Sequence, residues 1–250
     1  MEKNERKAKR KLRKVKELTV LAVIAILGIV VIFGLKSPAF NVAEVQVSGN
    51  HYYTDDEIIN MADCTEGANI FTGIDCSDIR ERLMKDPYMS QVKVKRKLPH
   101  TIEIDINERR QIAGVVYGTS YVVIDAEGTV LRKTSVDPKV TVLRGMDIAK
   151  MTLGEPIEIE QEVLFRQCMN IIDAMKENDM YFKAIEIEEG NVKAYVLDSL
   201  IVDGTSENIV LALKNNDIQL VVQNLFDQGI ERGTIKVNGD SYISFTPKID

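Results

Sequence analysis

Leu18 to Leu35 is a run of 18 residues without a charge, and the 17 residues before it hold nine Lys/Arg against only Glu2, Glu5 and Glu17. At 1.5 Å rise per residue such a run makes a helix of roughly 27 Å, about the hydrocarbon thickness of a bilayer. A basic flank abutting an apolar helix is the ordinary signal that holds that flank in the cytoplasm. The expected layout is a basic cytoplasmic tail over 1–17, a transmembrane helix over 18–35 and everything after Lys36 outside. The alternative is a cleaved signal peptide, for which Ser37-Pro38-Ala39 faintly resembles a small-x-small site. The apolar run exceeds the usual signal core of about 7–15 residues, and Pro38 falls inside the site.

The tail takes nine of the 32 basic and three of the 38 acidic residues, which leaves 23 against 35 beyond it, a net of −12. An acidic ectodomain argues against nucleic acid or anionic lipid as its partner. Its 215 residues suffice for one or two domains with their own cores. Three cysteines are too few for a disulfide framework. Cys76 and Cys168 have helical spacing to Ile79, Leu83, Leu164 and Ile171 and read as small buried hydrophobes; a Cys64–Cys76 disulfide stays open.

Ala43 to Val47 alternates as a half-buried strand and ends at Ser48-Gly49-Asn50. Thr54-Asp55-Asp56-Glu57 fits a capping box opening a short helix to about Asp63. Asp75 caps a second helix with Ile79 and Leu83 inward, ending by Asp86-Pro87. Val92, Val94 and Leu98 oppose Lys93, Lys95 and Lys97 in one strand. Ile102, Ile104 and Ile106 oppose Glu103, Asp105 and Asn107 in the next, and the opposed exposed charges favour a hairpin through Pro99-His100. The order is β-α-α-β-β. From Gln111 the chain turns β-rich. Val115 to Tyr117 and Tyr121 to Ile124 flank Gly118-Thr119-Ser120. Strands follow at Thr129 to Lys133 and Val140 to Leu143, then a helix over about Ile159 to Lys176. Three strands lie at Ile185 to Ile187, Val192 to Leu197 and Leu200 to Val202. A helical stretch from about Ser206 to Phe226 is weakened at Asn215-Asn216-Asp217, and strands at Thr234 to Val237 and Ser241 to Thr246 flank a Gly239-Asp240 turn.

Several segments together are similar to one family. They are Ala43-Glu44-Val45-Gln46-Val47-Ser48-Gly49-Asn50, Asn69-Ile70-Phe71, Asp86-Pro87-Tyr88, Arg96-Lys97-Leu98-Pro99, Ile102-Glu103-Ile104 and Glu108-Arg109. They resemble the FtsQ-type POTRA domain, and with the preceding helix they resemble the FtsQ/DivIB family of bacterial cell-division proteins. Tyr121 to Val130 and Gly233 to Val237 look like hairpins of the family's second domain. The resemblance implies an α+β fold: one transmembrane helix, a β-α-α-β-β POTRA domain over 40–110, and a mixed, mostly antiparallel β-rich domain with helices over 111–250. It also implies a membrane protein of the division septum. Such a protein is a non-enzymatic scaffold that binds FtsL-like and DivIC/FtsB-like proteins and, through them, regulates septal peptidoglycan synthases.

The residues themselves offer no chemistry. His51 and His100 are the only histidines and read as solvated; HExxH, GxSxG and phosphate-loop patterns are missing. No cofactor, metal or small-molecule substrate is expected. Asp55-Asp56-Glu57 reads as a charged first helical turn rather than a cation site. Binding then falls to surfaces, and a terminal strand at a sheet edge can accept a partner strand. By position in the family the partner-binding candidates are Tyr242, Ser244 and Phe245, with Ile235 and Val237 in the preceding strand. The competing reading has Ile243 and Phe245 facing the core and the strand pairing only internally. A membrane-anchored POTRA module for polypeptide transport or envelope assembly is the alternative function; it expects several POTRA repeats and a barrel.

Overall fold

The uncharged run lies inside a longer helix, α1 (Glu2–Leu35), which continues through the basic tail without a break. The stretch Lys16–Leu35 has a mean hydropathy of 3.0 and is long and apolar enough to cross a membrane, and none of it is buried against the rest of the chain. The computed structural model describes residues 2–64, 66–188, 190–239 and 242–248, with side chains from Lys16 onward. The basic side chains before Lys16, and the Asp240 and Ser241 positions assigned to the last turn and strand, lie outside the described residues. The chain divides into two units, 1–84 with 91–108 and 85–90 with 109–250.

The first unit contains β1 (Glu44–Ser48), α2 (Asp55–Ala62), α3 (Cys76–Leu83), β2 (Met89–Lys97) and β3 (Thr101–Glu108). Its sheet runs β1-β3-β2, with β1 parallel to β3 and Val45 opposite Ile102. Ile58, Ile70, Ile79, Leu83, Ile102 and Ile104 form its buried interior. The Thr54 capping box is present in both directions, so two of the free amides at the start of α2 are satisfied. Arg82 donates from Nε and Nη2 to the Ala62 carbonyl at the far end of α2. Arg96 donates to the carbonyls of Ile70 and Ile74, both at 2.7 Å, and so braces the loop between the helices. Glu108, nearly buried at the end of β3, accepts backbone N–H bonds from His51, Tyr52 and Tyr53. One carboxylate thereby holds the whole turn that leads into α2. Gly49 precedes it at φ +85°, where a Cβ would stand 2.0 Å from the Ile106 carbonyl oxygen.

Two expectations change here. Leu98 does not join Val92 on the inner face but is 57% exposed, because the β2–β3 connection runs out past the end of the core. Cys76 is half-buried, since it is the first residue of α3 and sits at the open end of the helix. The β2–β3 charge pairing is real, with Lys97 Nζ 2.8 Å from Glu103 Oε1.

The second unit is built on a nine-stranded sheet. In chain order its strands are β4 (Ala113–Tyr117), β5 (Ser120–Ile124), β6 (Val130–Thr134), β7 (Thr141–Arg144), β10 (Ala184–Glu188), β11 (Asn191–Tyr195), β12 (Leu200–Gly204), β13 (Gly233–Val237) and β14 (Ile243–Pro247). A separate ribbon pairs β8 (Ile148–Lys150) with β9 (Glu158–Ile159). The sheet order is β14-β13-β12-β11-β10-β7-β4-β5-β6. Pairing is mostly antiparallel; the parallel neighbours are β4–β7, β7–β10 and β12–β13. Two of those parallel pairs are joined by helical crossovers: α4 (Glu162–Glu177) between β7 and β10, and α5 (Ser206–Lys214) with α6 (Asp217–Asp227) between β12 and β13; β4 and β7 are joined through the β5–β6 strands. One sheet face, carrying Ile185, Val192, Leu200, Val202 and Ile235, packs with Ile171, Ile209, Leu213 and Ile218 of the helices. The expected long helix breaks where Asn216 takes the left-handed conformation at φ 62°, which asparagine tolerates. The helix expected from Ile159 begins instead at Glu162, because Glu158–Ile159 is held in the ribbon.

All three cysteines are free, so the Cys64–Cys76 disulfide allowed by the sequence is not formed. Burial pushes the Cys168 thiol up to about 12. At pH 8 Cys168 should therefore resist alkylation until the domain unfolds, while half-buried Cys76 reacts first; mass mapping of a thiol-reagent time course reads the order. Glu108→Ala leaves three partly buried N–H groups without their acceptor and should cost about 2–3 kcal/mol. Denaturant unfolding followed by circular dichroism measures this, and a change below about 0.5 kcal/mol would contradict the role given to Glu108.

Candidate functional site

A sheet that does not close has two edges, and each exposes a row of backbone N–H and C=O groups. The two edges of the large sheet are treated differently. At β6 the segment after the ribbon turn lies alongside: Val130 N–H donates to the Glu155 carbonyl at 2.9 Å, and Gly154 N–H donates to the Val130 carbonyl at 2.8 Å. A further bridge joins Thr129 to Pro156. That edge is blunted at its start. At the other end β14 pairs with β13 alone, and among the described residues no strand lies beyond it.

The hairpin geometry tells which β14 groups are free. Asn238 N–H donates to the Tyr242 carbonyl at 3.0 Å, which makes 238 and 242 a hydrogen-bonded pair. Antiparallel pairs alternate between bonded and non-bonded. Counting along the register, Lys236–Ser244 and Thr234–Thr246 are bonded, while Val237–Ile243 and Ile235–Phe245 are not. The N–H and C=O groups of Ile243 and Phe245 therefore point away from β13. Pro247, opposite Gly233, would aim the next outward N–H but has none. The edge offers two donors and then stops.

Side chains follow the same parity. Ile235 and Val237 are buried on the helix-covered face, beneath the edge rather than at it. Ile243 and Phe245 are half-buried at the margin of that core. The Phe245 ring lies across Gly233, where a Cβ would stand 2.5 Å from Phe245 Cε2. Ser244 faces the opposite side, and Tyr242 is 66% exposed at the hairpin turn. The structure thus gathers Tyr242, Ser244 and Phe245 at one edge and sets Ile235 and Val237 one strand inside it. The half-buried state of Ile243 and Phe245 agrees with the core-facing reading for their side chains, while their outward backbone groups remain available. Sequence reasoning passed over Ile243 as a main-chain contact and missed Gly233 and Pro247. Proline at that position was the one visible signal that the edge ends there.

The uncovered face beside this edge carries a register of alternating charge. Arg144, Glu186, Lys193, Asp203 and Lys236 occupy consecutive paired positions from β7 to β13, and Ser244 closes the row. Tyr195 Oη donates to Glu186 at 2.9 Å, Arg144 sits 5.6 Å over the Tyr195 ring, and Lys193 reaches Glu188 at 2.6 Å. Cross-strand pairs of opposite charge favour one register and discourage slippage of the strands next to the β14 edge. Neither histidine gathers a catalytic group: both rings are exposed, and His51 Nδ1 lies 3.1 Å from the Gly49 carbonyl. Among the described residues no group of three His, Cys, Asp or Glu side chains could hold a metal ion.

Comparison with known proteins bears on both units. Residues 40–109 match the family model of the POTRA domain, FtsQ-type. The cell division protein DivIB of Clostridium acetobutylicum is 28% identical over 205 residues, covering 80% of this chain and 81% of that protein. DivIB of Bacillus subtilis is 21% identical over 189 residues, 74% of this chain and 68% of its own length. The cell division protein FtsQ of Geotalea daltonii is 33% identical over 120 residues, 46% and 43% of the two chains.

The alternation in β14 makes a prediction for the chain on its own. In amide hydrogen exchange, Ser244 and Thr246 should be protected and Ile243 and Phe245 should exchange quickly. The reverse pattern would mean that the strand turns its other side outward.

Proposed function

We propose, from the premise that this chain is a homologue of the DivIB and FtsQ cell-division proteins with an FtsQ-type POTRA domain, that it acts in the divisome as a non-enzymatic scaffold at the β14 edge. Homology to division proteins supports the divisome role, and α1 supports membrane anchoring. The tail lies in the cytoplasm and both folded units lie outside the membrane, at the septum. The chain binds FtsL-like and DivIC/FtsB-like proteins and through them influences septal peptidoglycan synthases.

The observation that carries this reading is the unpaired β14 edge, with Ile243 and Phe245 presenting main-chain groups outward. An extended partner segment adds as a tenth strand and gains backbone bonds to both residues. Tyr242, Ser244 and Phe245 supply the side chains beside it, while Ile235 and Val237 support the edge from within. Lys236, the last charge of the alternating row, stands one strand from the incoming segment.

The test separates the two sides of β14. Ile243→Pro removes an outward N–H, which an edge strand tolerates while keeping its inner pairing. Ser244→Pro removes an N–H that bonds to β13. Binding to the ectodomain of a DivIC-like protein is measured for the full chain in nanodiscs. Ile243→Pro, which also trims a half-buried side chain, should lower the melting temperature less than Ser244→Pro and weaken binding about tenfold or more, the worth of one hydrogen bond and its accompanying clash. Ser244→Pro should lower the melting temperature as well. Unchanged affinity in Ile243→Pro would contradict strand addition at this edge.

A further inference from the structure

At the β6 end of the sheet lies a groove of about 620 Å³ that strand addition does not use. Phe165 and Met169 of α4 form its floor, and Ile157 and Ile159 of the ribbon and the Ala126–Gly128 turn form its walls. The walls are fixed. Asp125, buried at 1% exposure, accepts from Glu127 N–H at 3.0 Å, Thr129 N–H at 2.7 Å and Arg109 Nη1 at 2.7 Å. The ribbon is joined to that turn by Ile157 N–H donating to the Gly128 carbonyl at 2.9 Å. Asp147 and Gln161 lock the other end through two hydrogen bonds between them. Phe165 closes onto the turn, where the Gly128 Cβ position lies 3.5 Å from the ring. This is a preformed site with an apolar floor, not a loose surface fold.

Its rim is acidic. Glu127, Glu158, Glu160 and Glu162 surround the floor, with Arg166 the one cation among the lining residues. Glu158 has Lys150 at 3.5 Å and Glu127 has Arg109 at 3.8 Å. Among the described residues no ion pair answers Glu160 or Glu162. An apolar floor beside unanswered carboxylates suits a side chain that is apolar along its stem and cationic at its tip, as lysine and arginine are.

We propose that this groove is a second docking site, and that its occupant is a Lys/Arg-rich amphipathic helix of another protein. The helix sets its apolar stripe on Phe165 and Met169 and its basic residues against Glu160 and Glu162. The site is independent of β14, which lies at the opposite end of the sheet order.

The test uses the full chain in nanodiscs of zwitterionic phosphatidylcholine, labelled with ¹³C on methionine methyls. The probe is a short Lys/Leu/Ala amphipathic helix, with empty nanodiscs as the baseline. The Met169 methyl should shift on titration with a dissociation constant on the order of 10–100 µM. Buried Met175 serves as the folding control and should stay put. Glu160→Lys with Glu162→Lys should weaken binding at least tenfold with Met175 unmoved, and added salt should weaken the wild type in the same direction. The proposal is overturned if Met169 does not respond, or if a peptide with Glu in place of Lys binds equally. It is also overturned if Met169 shifts with protein concentration alone, which would assign the groove to a second copy of this chain.

Discussion

The parallel pairing of β13 with β12 is the constraint on which the candidate site depends. It forces the chain to leave the sheet after Gly204, cross the covered face through α5 and α6, and return alongside the strand it left. The return places the β13–β14 hairpin on the outside of the sheet, with nothing further along the described chain to cover it. Two glycines keep this arrangement close. A Cβ on Gly204 would stand 2.6 Å from the Val237 carbonyl oxygen, and one on Gly233 would meet both the Phe245 ring and the Thr246 carbonyl. The first glycine admits β13 against β12, and the second admits β14 against β13. The break at Asn216 serves the same end, since it lets two short helices rather than one long rod make the crossover.

An exposed edge is ordinarily a hazard that proteins suppress. This sheet suppresses one edge and leaves the other. The 154–156 segment and the ribbon lie along the start of β6, whereas β14 keeps its outward groups over a short stretch that Pro247 ends. An open edge limited to Ile243 and Phe245 would give an added strand one register and discourages indefinite stacking of copies. The alternating charges on the uncovered face reinforce that register from beneath. The same economy appears in the first unit, where single charged side chains fix whole turns: Glu108 for the entry to α2, and Arg96 for the loop after it.

Much of this was legible in the sequence because local signals agreed with the tertiary outcome. The capping box at Thr54–Glu57, the alternation through Val45 and Ile102–Ile106, and the Gly118 hairpin each formed as read. The edge position of the last strand also followed from the resemblance. What escaped was decided by longer-range geometry. The β8–β9 ribbon is too short to alternate visibly, so its second strand was absorbed into the helix that follows. Leu98 fitted the strand's period but stands past the end of the core. Ile235 and Val237 lie beside the edge in sequence, yet the parity of β13 turns them inward. Glu108 appeared only as part of a family pattern. Nothing local reveals that its carboxylate gathers amides from more than 50 positions earlier.

The most direct measurement follows the backbone amides of β14 by NMR hydrogen exchange in the assembled complex with a DivIC-like ectodomain. If the partner adds as a strand, Ile243 and Phe245 become protected on binding, and the protection of Ser244 and Thr246 barely changes. If a complex forms while Ile243 and Phe245 continue to exchange as in the free chain, the partner docks elsewhere and the edge-strand account is wrong.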